Sequence, residues 1–265
     1  MNVLHLDLAD HYKSGSSRMH RLDARVKLSA ALSFILIVSL INPLRLGSWF
    51  ALALLFLSTL LISGFSGLGA GYALKRSYIA LPFVLGALAL PVTVGGTPLG
   101  ELGGWVISFE GTMRLFGVFA KSWLSVQIAI LLSVVTPFPD MLRALRALRV
   151  PKPLVSIVAF MYRYLFVLMD EALRLRRARA ARCAQGEQPA GGGLLWRGRV
   201  AGGLVGNLML RSFERSERIY NAMLARGFTG ELKTFGRPAV AGEDIYLLAA
   251  WVSFLIFTVV VSVSF

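Results

Sequence analysis

Five apolar stretches of bilayer length, or close to it, leave this chain few folds to choose from. They cover 28–41, 49–63, 77–94, 115–135 and 245–263, and short polar segments divide the first four. About twenty consecutive apolar residues suffice for a helix to cross the hydrocarbon core. A spanning strand would instead need ten-residue segments of alternating character, which this sequence lacks. With 56% hydrophobic residues over 265 positions, an ordinary soluble domain is excluded. The expected fold class is all-α, a polytopic membrane helical bundle. The first span can extend past its short apolar run if Lys27 snorkels to the interface. The third carries Pro82, Gly86 and Pro91, for which a tolerated kink is preferred to a flexing helix.

Charge orients the bundle. Lys13, Arg18, Arg21, Arg25 and Lys27 precede the first span, and Lys75-Arg76 precedes the third. The 42–48 loop has Arg45 as its sole basic residue, and 95–109 has none. Basic loops stay in the cytoplasm, so the N-terminus is expected inside, with four spans returning the chain to the cytoplasm. The domain reading is a 1–27 cytoplasmic segment, a 28–136 four-helix membrane region, a 137–237 cytoplasmic region and a 238–265 final membrane helix. The expected location is the cell (inner) membrane, multi-pass. No signal peptide is expected, because no early apolar core precedes a cleavage site. Lys121, about two turns inside the fourth span, fits either a transport path or snorkelling to the interface.

Segment 137–237 carries eighteen Lys and Arg residues against seven acids, a net +11 of the chain's +14. Leu142, Leu145 and Leu148 alternate with Arg143, Arg146 and Arg149, which describes an amphipathic interfacial helix. Residues 154–169 are apolar, yet spanning there would carry the following arginine cluster outside. A helix half-sunk in the membrane is expected, continuing to Cys183. A second long helix is expected over 194–225. At 100° per residue, Val205, Met209, Phe213, Tyr220, Met223 and Leu224 fall on one side. The supporting basic face of Arg211, Arg215 and Arg218, with Arg226, falls on the other. Gly227 is the expected C-cap. Both helices end alike, in Ala181-Arg182-Cys183 and Ala225-Arg226-Gly227. Small flanking residues let a partner approach the backbone, and a guanidinium offers a planar fork to carboxylates. A solvated basic face accounts for the same residues on spacing alone.

These features together resemble the transmembrane T component of energy-coupling factor (ECF) transporters, and within it the cobalt-type CbiQ family. Leu22-Asp23-Ala24-Arg25-Val26-Lys27 is similar to that family's Leu-Asp-Pro-Arg-x-Lys entry to the first span, with Ala24 in place of proline. The paired Ala-Arg-Gly motifs map onto 181–183 and 225–227. The second matches fully, while the first has Cys183 where Gly or Ser is usual. The resemblance covers essentially the whole chain. It implies a non-catalytic scaffold joining two cytoplasmic ATPase subunits to a metal-binding, substrate-specific membrane subunit, with or without a small accessory membrane subunit. It implies no cofactor, and cobalt as the transported ion. Each motif arginine would enter a groove on one ATPase. On that reading Arg182→Ala with Arg226→Ala uncouples transport, whereas Arg211→Ala and Arg215→Ala do little.

Other classes fit less well. A membrane enzyme holding a lipid or polyprenyl phosphate on its basic face would need paired acids or a His/Ser constellation, and none stands at catalytic spacing. No GxxxxGK[ST] loop occurs, so ATP hydrolysis is expected in partners. A secondary carrier would place acids inside the spans, and none is there. The lone Cys183 forms no intramolecular disulfide or cysteine metal site. His5, His11 and His20 do not share a helix face and are expected to be solvated. Contact with the lipid bilayer is expected; nucleic-acid binding is not, since charge is its sole support.

Overall fold

The computed structural model describes residues 15, 17–69, 71–102, 105–182, 193–230 and 242–264. In chain order the elements are α1 (Arg18–Arg21), α2 (Ala24–Leu40), α3 (Leu46–Phe65), α4 (Gly71–Arg76), a 3-10 turn (Ser77–Ala80), α5 (Leu81–Ala87) and α6 (Leu90–Thr93). Strands β1 (Pro98–Leu102) and β2 (Trp105–Ser108) follow, then α7 (Phe109–Val135), α8 (Phe138–Ala147), α9 (Lys152–Arg182), α10 (Leu194–Ala225) and α11 (Gly242–Ser264). The chain divides into two compact units, one of 9–148 with 238–265, the other built on 149–237.

In the first unit α2, α3, α7 and α11 pack around Phe34, Val38, Leu55, Leu124, Leu131 and Leu255, all nearly or wholly buried. Trp251 of α11 stacks on Phe34 with ring centres 6.1 Å apart, and its indole N–H donates to the Ala30 carbonyl at 3.2 Å. Two buried hydroxyls are satisfied within their own helices: Ser58 donates to the Leu55 carbonyl and Thr258 to that of Leu255. That habit suits helices in a medium that supplies no water to polar groups. Thr59 also donates to the Gln127 side-chain oxygen at 2.9 Å, pinning α3 to α7.

Local chemistry fixes the helix starts. Asp23 caps α2, its carboxylate accepting from the Arg25 backbone N–H at 2.8 Å. The Asp23 N–H in turn donates to Asp244 in the first turn of α11 at 3.3 Å, where an acid also offsets the positive helix end. Ser108 caps α7 by accepting from the Gly111 N–H at 3.1 Å, so α7 begins six residues before the apolar run at 115.

The third expected span is corrected. Residues 77–94 do not form one helix but a 3-10 turn followed by α5 and α6. Pro82 falls within the first turn of α5 and Pro91 within that of α6. Each proline lacks the N–H that would bond to the preceding turn, so each position favours a helix start over a helix interior. Strands β1 and β2 pair antiparallel, with Leu102 facing Trp105 and Pro98 facing Ser108. Among the described residues, four helices are long and apolar enough to cross a membrane: α3, α7, α9 and α11. The α2 helix, at 17 residues, is shorter.

Two lysines join α2 and α7 reciprocally. Lys27, near the start of α2, donates to the carbonyl of Val135, the last residue of α7, at 3.4 Å, and to that of His20 at 3.2 Å. Lys121 of α7 donates to the Ser39 carbonyl, in the last turn of α2, at 3.0 Å. Each ammonium therefore sits on the negative end of the opposite, antiparallel helix. This accounts for Lys121 without a transport path. Lys121→Met is expected to cost about 1 kcal/mol and lower Tm in detergent by roughly 2–4 °C, with transport kept. Lost transport at unchanged Tm would restore the path reading.

Candidate coupling surface

In the second unit α9 and α10 lie side by side and antiparallel. Phe160 meets Phe228 edge-on, just beyond the end of α10, with ring centres 6.4 Å apart. Glu171 accepts from the Arg211 guanidinium at 2.6 Å. The Arg179 guanidinium lies over the Trp196 ring, 5.3 Å from its centre. The C-terminal end of α9 is thus beside the N-terminal end of α10. Arg182, the last residue of α9, and Arg226, the residue closing α10, stand at opposite ends of the pair. A 32-residue helix at 1.5 Å rise separates these ends by about 48 Å.

Arg226 is positioned by a complete glycine-terminated helix end. The Gly227 N–H donates to the Leu224 carbonyl at 2.9 Å, the Phe228 N–H donates to that of Met223 at 3.0 Å, and Gly227 has φ +77°. This paired 5→2 and 6→1 bonding needs a left-handed residue, which glycine adopts without steric cost. Arg226 is therefore the C-cap itself, with Ala225 the last helical residue, and both are exposed. Ala181 and Arg182 are also exposed. Cys183 lies outside the described residues, so the close approach expected there stays a sequence argument. Among the described residues neither Arg182 nor Arg226 makes an ion pair. Nor do these residues include a group of three His, Cys, Asp or Glu able to hold a metal ion.

The supporting basic face divides. Arg218 is exposed and pairs with Glu214 one turn back at 3.4 Å. Arg211 is exposed too, but its guanidinium is committed to an ion pair, and Arg215 is not exposed. Arg211 reaches across to Glu171, whose carboxylate is 10% exposed. Arg215 is half-buried and lines an open cleft of about 570 Å³ with Phe160, Tyr164 and Leu168 of α9. The face of α10 turned to α9 carries Leu208, Ser212, Arg215, Ile219 and Met223, all half-buried. Val205, Met209, Phe213, Tyr220 and Leu224 lie beside that face and remain 48–64% exposed. Arg211 thus has a partner, Glu171, that the expectation for Arg211→Ala did not include. Truncating Arg211 leaves a buried carboxylate with Arg174 at 3.6 Å as its remaining ion-pair partner.

On α9, Leu154, Ile157, Met161 and Leu165 form a second exposed apolar stripe at helical spacing. Stripes of this size on a monomer mark contact with lipid or protein.

A profile of the cobalt transport protein family CbiQ matches residues 15–235. The chain belongs to this family. An energy-coupling factor transporter transmembrane protein (EcfT) of Lacticaseibacillus paracasei is 29% identical over 84% of this chain and 85% of the relative. A cobalt transport protein CbiQ of Rhodobacter capsulatus is 26% identical over 70% of this chain and 73% of its own. A nickel permease, LarQ, of Lactiplantibacillus plantarum is 30% identical over 63% of this chain and 58% of its own. This CbiQ-family chain is accordingly a membrane protein and the energy-coupling transmembrane component of a transporter, not an enzyme. That sets aside an enzyme acting on a lipid or polyprenyl phosphate.

Proposed function

We propose that this chain is the scaffold of an ECF-type importer, joining two cytoplasmic ATPase subunits to a substrate-binding membrane subunit. The observation that carries this reading is the placement of two exposed arginines, Arg182 and Arg226, at opposite ends of one antiparallel helix pair. Two docking points about 48 Å apart suit two partner subunits better than one groove. The guanidinium of each would enter a carboxylate-lined groove, where a bidentate fork gives both strength and orientation. ATP closing the ATPase dimer would draw the grooves together, and the stiff helices would carry that displacement to the membrane region. The cargo we propose is a transition-metal ion, cobalt by the family description, held by the partner membrane subunit. A small accessory membrane subunit is compatible with this scheme. The excess of positive charge in 1–27 and 137–237 supports a cytoplasmic placement for both in a multi-pass inner-membrane protein.

The test is affinity capture of the tagged chain from detergent, expressed with its neighbouring subunits. Two ATPase copies and a metal-binding membrane subunit should come with it. Vesicles containing the captured complex should then accumulate radiolabelled cobalt in preference to nickel when ATP is supplied. Capture without any ATPase would end the scaffold reading. Preference for nickel would revise the cargo alone.

A further inference from the structure

The α9–α10 contact is thin for helices of this length. Val205, Met209, Phe213 and Leu224 point away from it, and an open cleft, lined in part by Tyr220, lies within it. Of the three stations described along the pair, the two outer ones are ring contacts at 6.4 and 5.3 Å, which hold a register less tightly than a short charge-assisted bond. The middle station is different. Glu171 is 7% exposed as a residue, and its carboxylate meets Arg211 at 2.6 Å, with Arg174 at 3.6 Å on its other oxygen. A carboxylate taken out of water must be compensated, and a charge-assisted bond at that distance is strongly directional.

We propose that Glu171 and Arg211 are a positioning pair for energy coupling: they fix where α9 and α10 cross and thereby the separation of Arg182 from Arg226. The inference rests on the scaffold reading above. Neither residue touches a partner; they act by holding the distance between two docking points. Loss of the pair would let the helices slide, so that closure of the ATPases is absorbed between them and no longer transmitted. Removal of Arg211 alone leaves the carboxylate buried and poorly compensated, whereas neutralising both residues removes that penalty. The damage should therefore follow the order R211Q, then E171Q/R211Q, then wild type.

The experiment reconstitutes the full complex in vesicles with wild-type chain, R211Q, R211K and E171Q/R211Q. It measures retained ATPase, ATP hydrolysed and cobalt moved per ATP. Both tips are intact in every variant, so each should retain its ATPases. Cobalt moved per ATP should fall about tenfold in R211Q, less in the double variant, and least in R211K, which keeps the charge. Wild-type cobalt per ATP in R211Q, or a double variant as impaired as R211Q or more so, would overturn the proposal. If R211Q is lost from membranes, R211K and the double variant still order the outcome. A wild-type complex that retains no ATPase would instead overturn the scaffold reading, and this inference with it.

Discussion

Alanine at both 182 and 226 is expected to abolish capture of the ATPases while leaving the chain folded. Both side chains are exposed at the ends of their helices, so their removal opens no cavity in the protein itself. Each would lose a desolvated Arg–carboxylate contact, which costs about 2–5 kcal/mol when one partner is truncated. At 1.4 kcal/mol per decade, the lower figure for two independent sites is already about a thousandfold. Single variants should behave differently from the double. One intact arginine still docks one subunit, but the second association is no longer intramolecular, so avidity falls. Arg182→Ala and Arg226→Ala should each yield weak capture with reduced ATPase stoichiometry. Lysine should rescue poorly at either position, since a point charge cannot present the fork. Arg218→Ala is the control: its pairing with Glu214 is fully on the surface, and its loss should change capture less than about threefold. Quantitative co-purification with measured stoichiometry decides it. A double variant that still holds two ATPases at the wild-type ratio would remove both arginines from the coupling role.

The sequence exposes what local chemistry dictates and hides what distant residues decide. Gly227 was readable because a helix end of this kind needs a particular residue type at a particular place. The partner of Arg211 was not, because Glu171 lies forty residues away on another helix. A helical wheel separates the apolar side of α10 from its basic side, but it does not say which part of the circumference a neighbour covers. In the protein α9 covers the sector between them, so Arg215 and Ser212 are half-buried while Phe213 is exposed. Lys121 was ambiguous on the same grounds: its acceptor is 82 residues away in the last turn of α2. The broken third span could have been found, since Pro82 and Pro91 are visible in the sequence. Average apolarity over 77–94 outweighed the missing backbone donors in that reading.

Gly111→Val is expected to cause the largest loss of folded protein of any single substitution in the first unit. A Cβ at 111 would run into the Leu90 carbonyl oxygen and lie 2.7 Å from the Pro91 Cα. Both are backbone atoms, and Pro91 holds its own backbone rigid, so the space cannot be made by rotating a side chain. The same Cβ would lie 2.7 Å from the Ser108 hydroxyl that caps α7, so the clash and the loss of the cap fall on one turn. Overpacking typically costs about 1–3 kcal/mol, and a backbone obstacle puts this site at the upper end. Gly117 is the milder test, because a Cβ there meets the side chain of Pro43, with its Cγ at 2.7 Å. Gly86→Ala is the reference: nothing lies within 4 Å of its added carbon, and alanine favours the helical backbone by about 1 kcal/mol. Monodisperse yield in detergent and thermal unfolding should therefore rank Gly86→Ala at or above wild type, then Gly117→Val, with Gly111→Val last. Wild-type stability for Gly111→Val would mean that α6 does not press against α7 at this turn. The break in the third apolar stretch would then need a cause other than this packing.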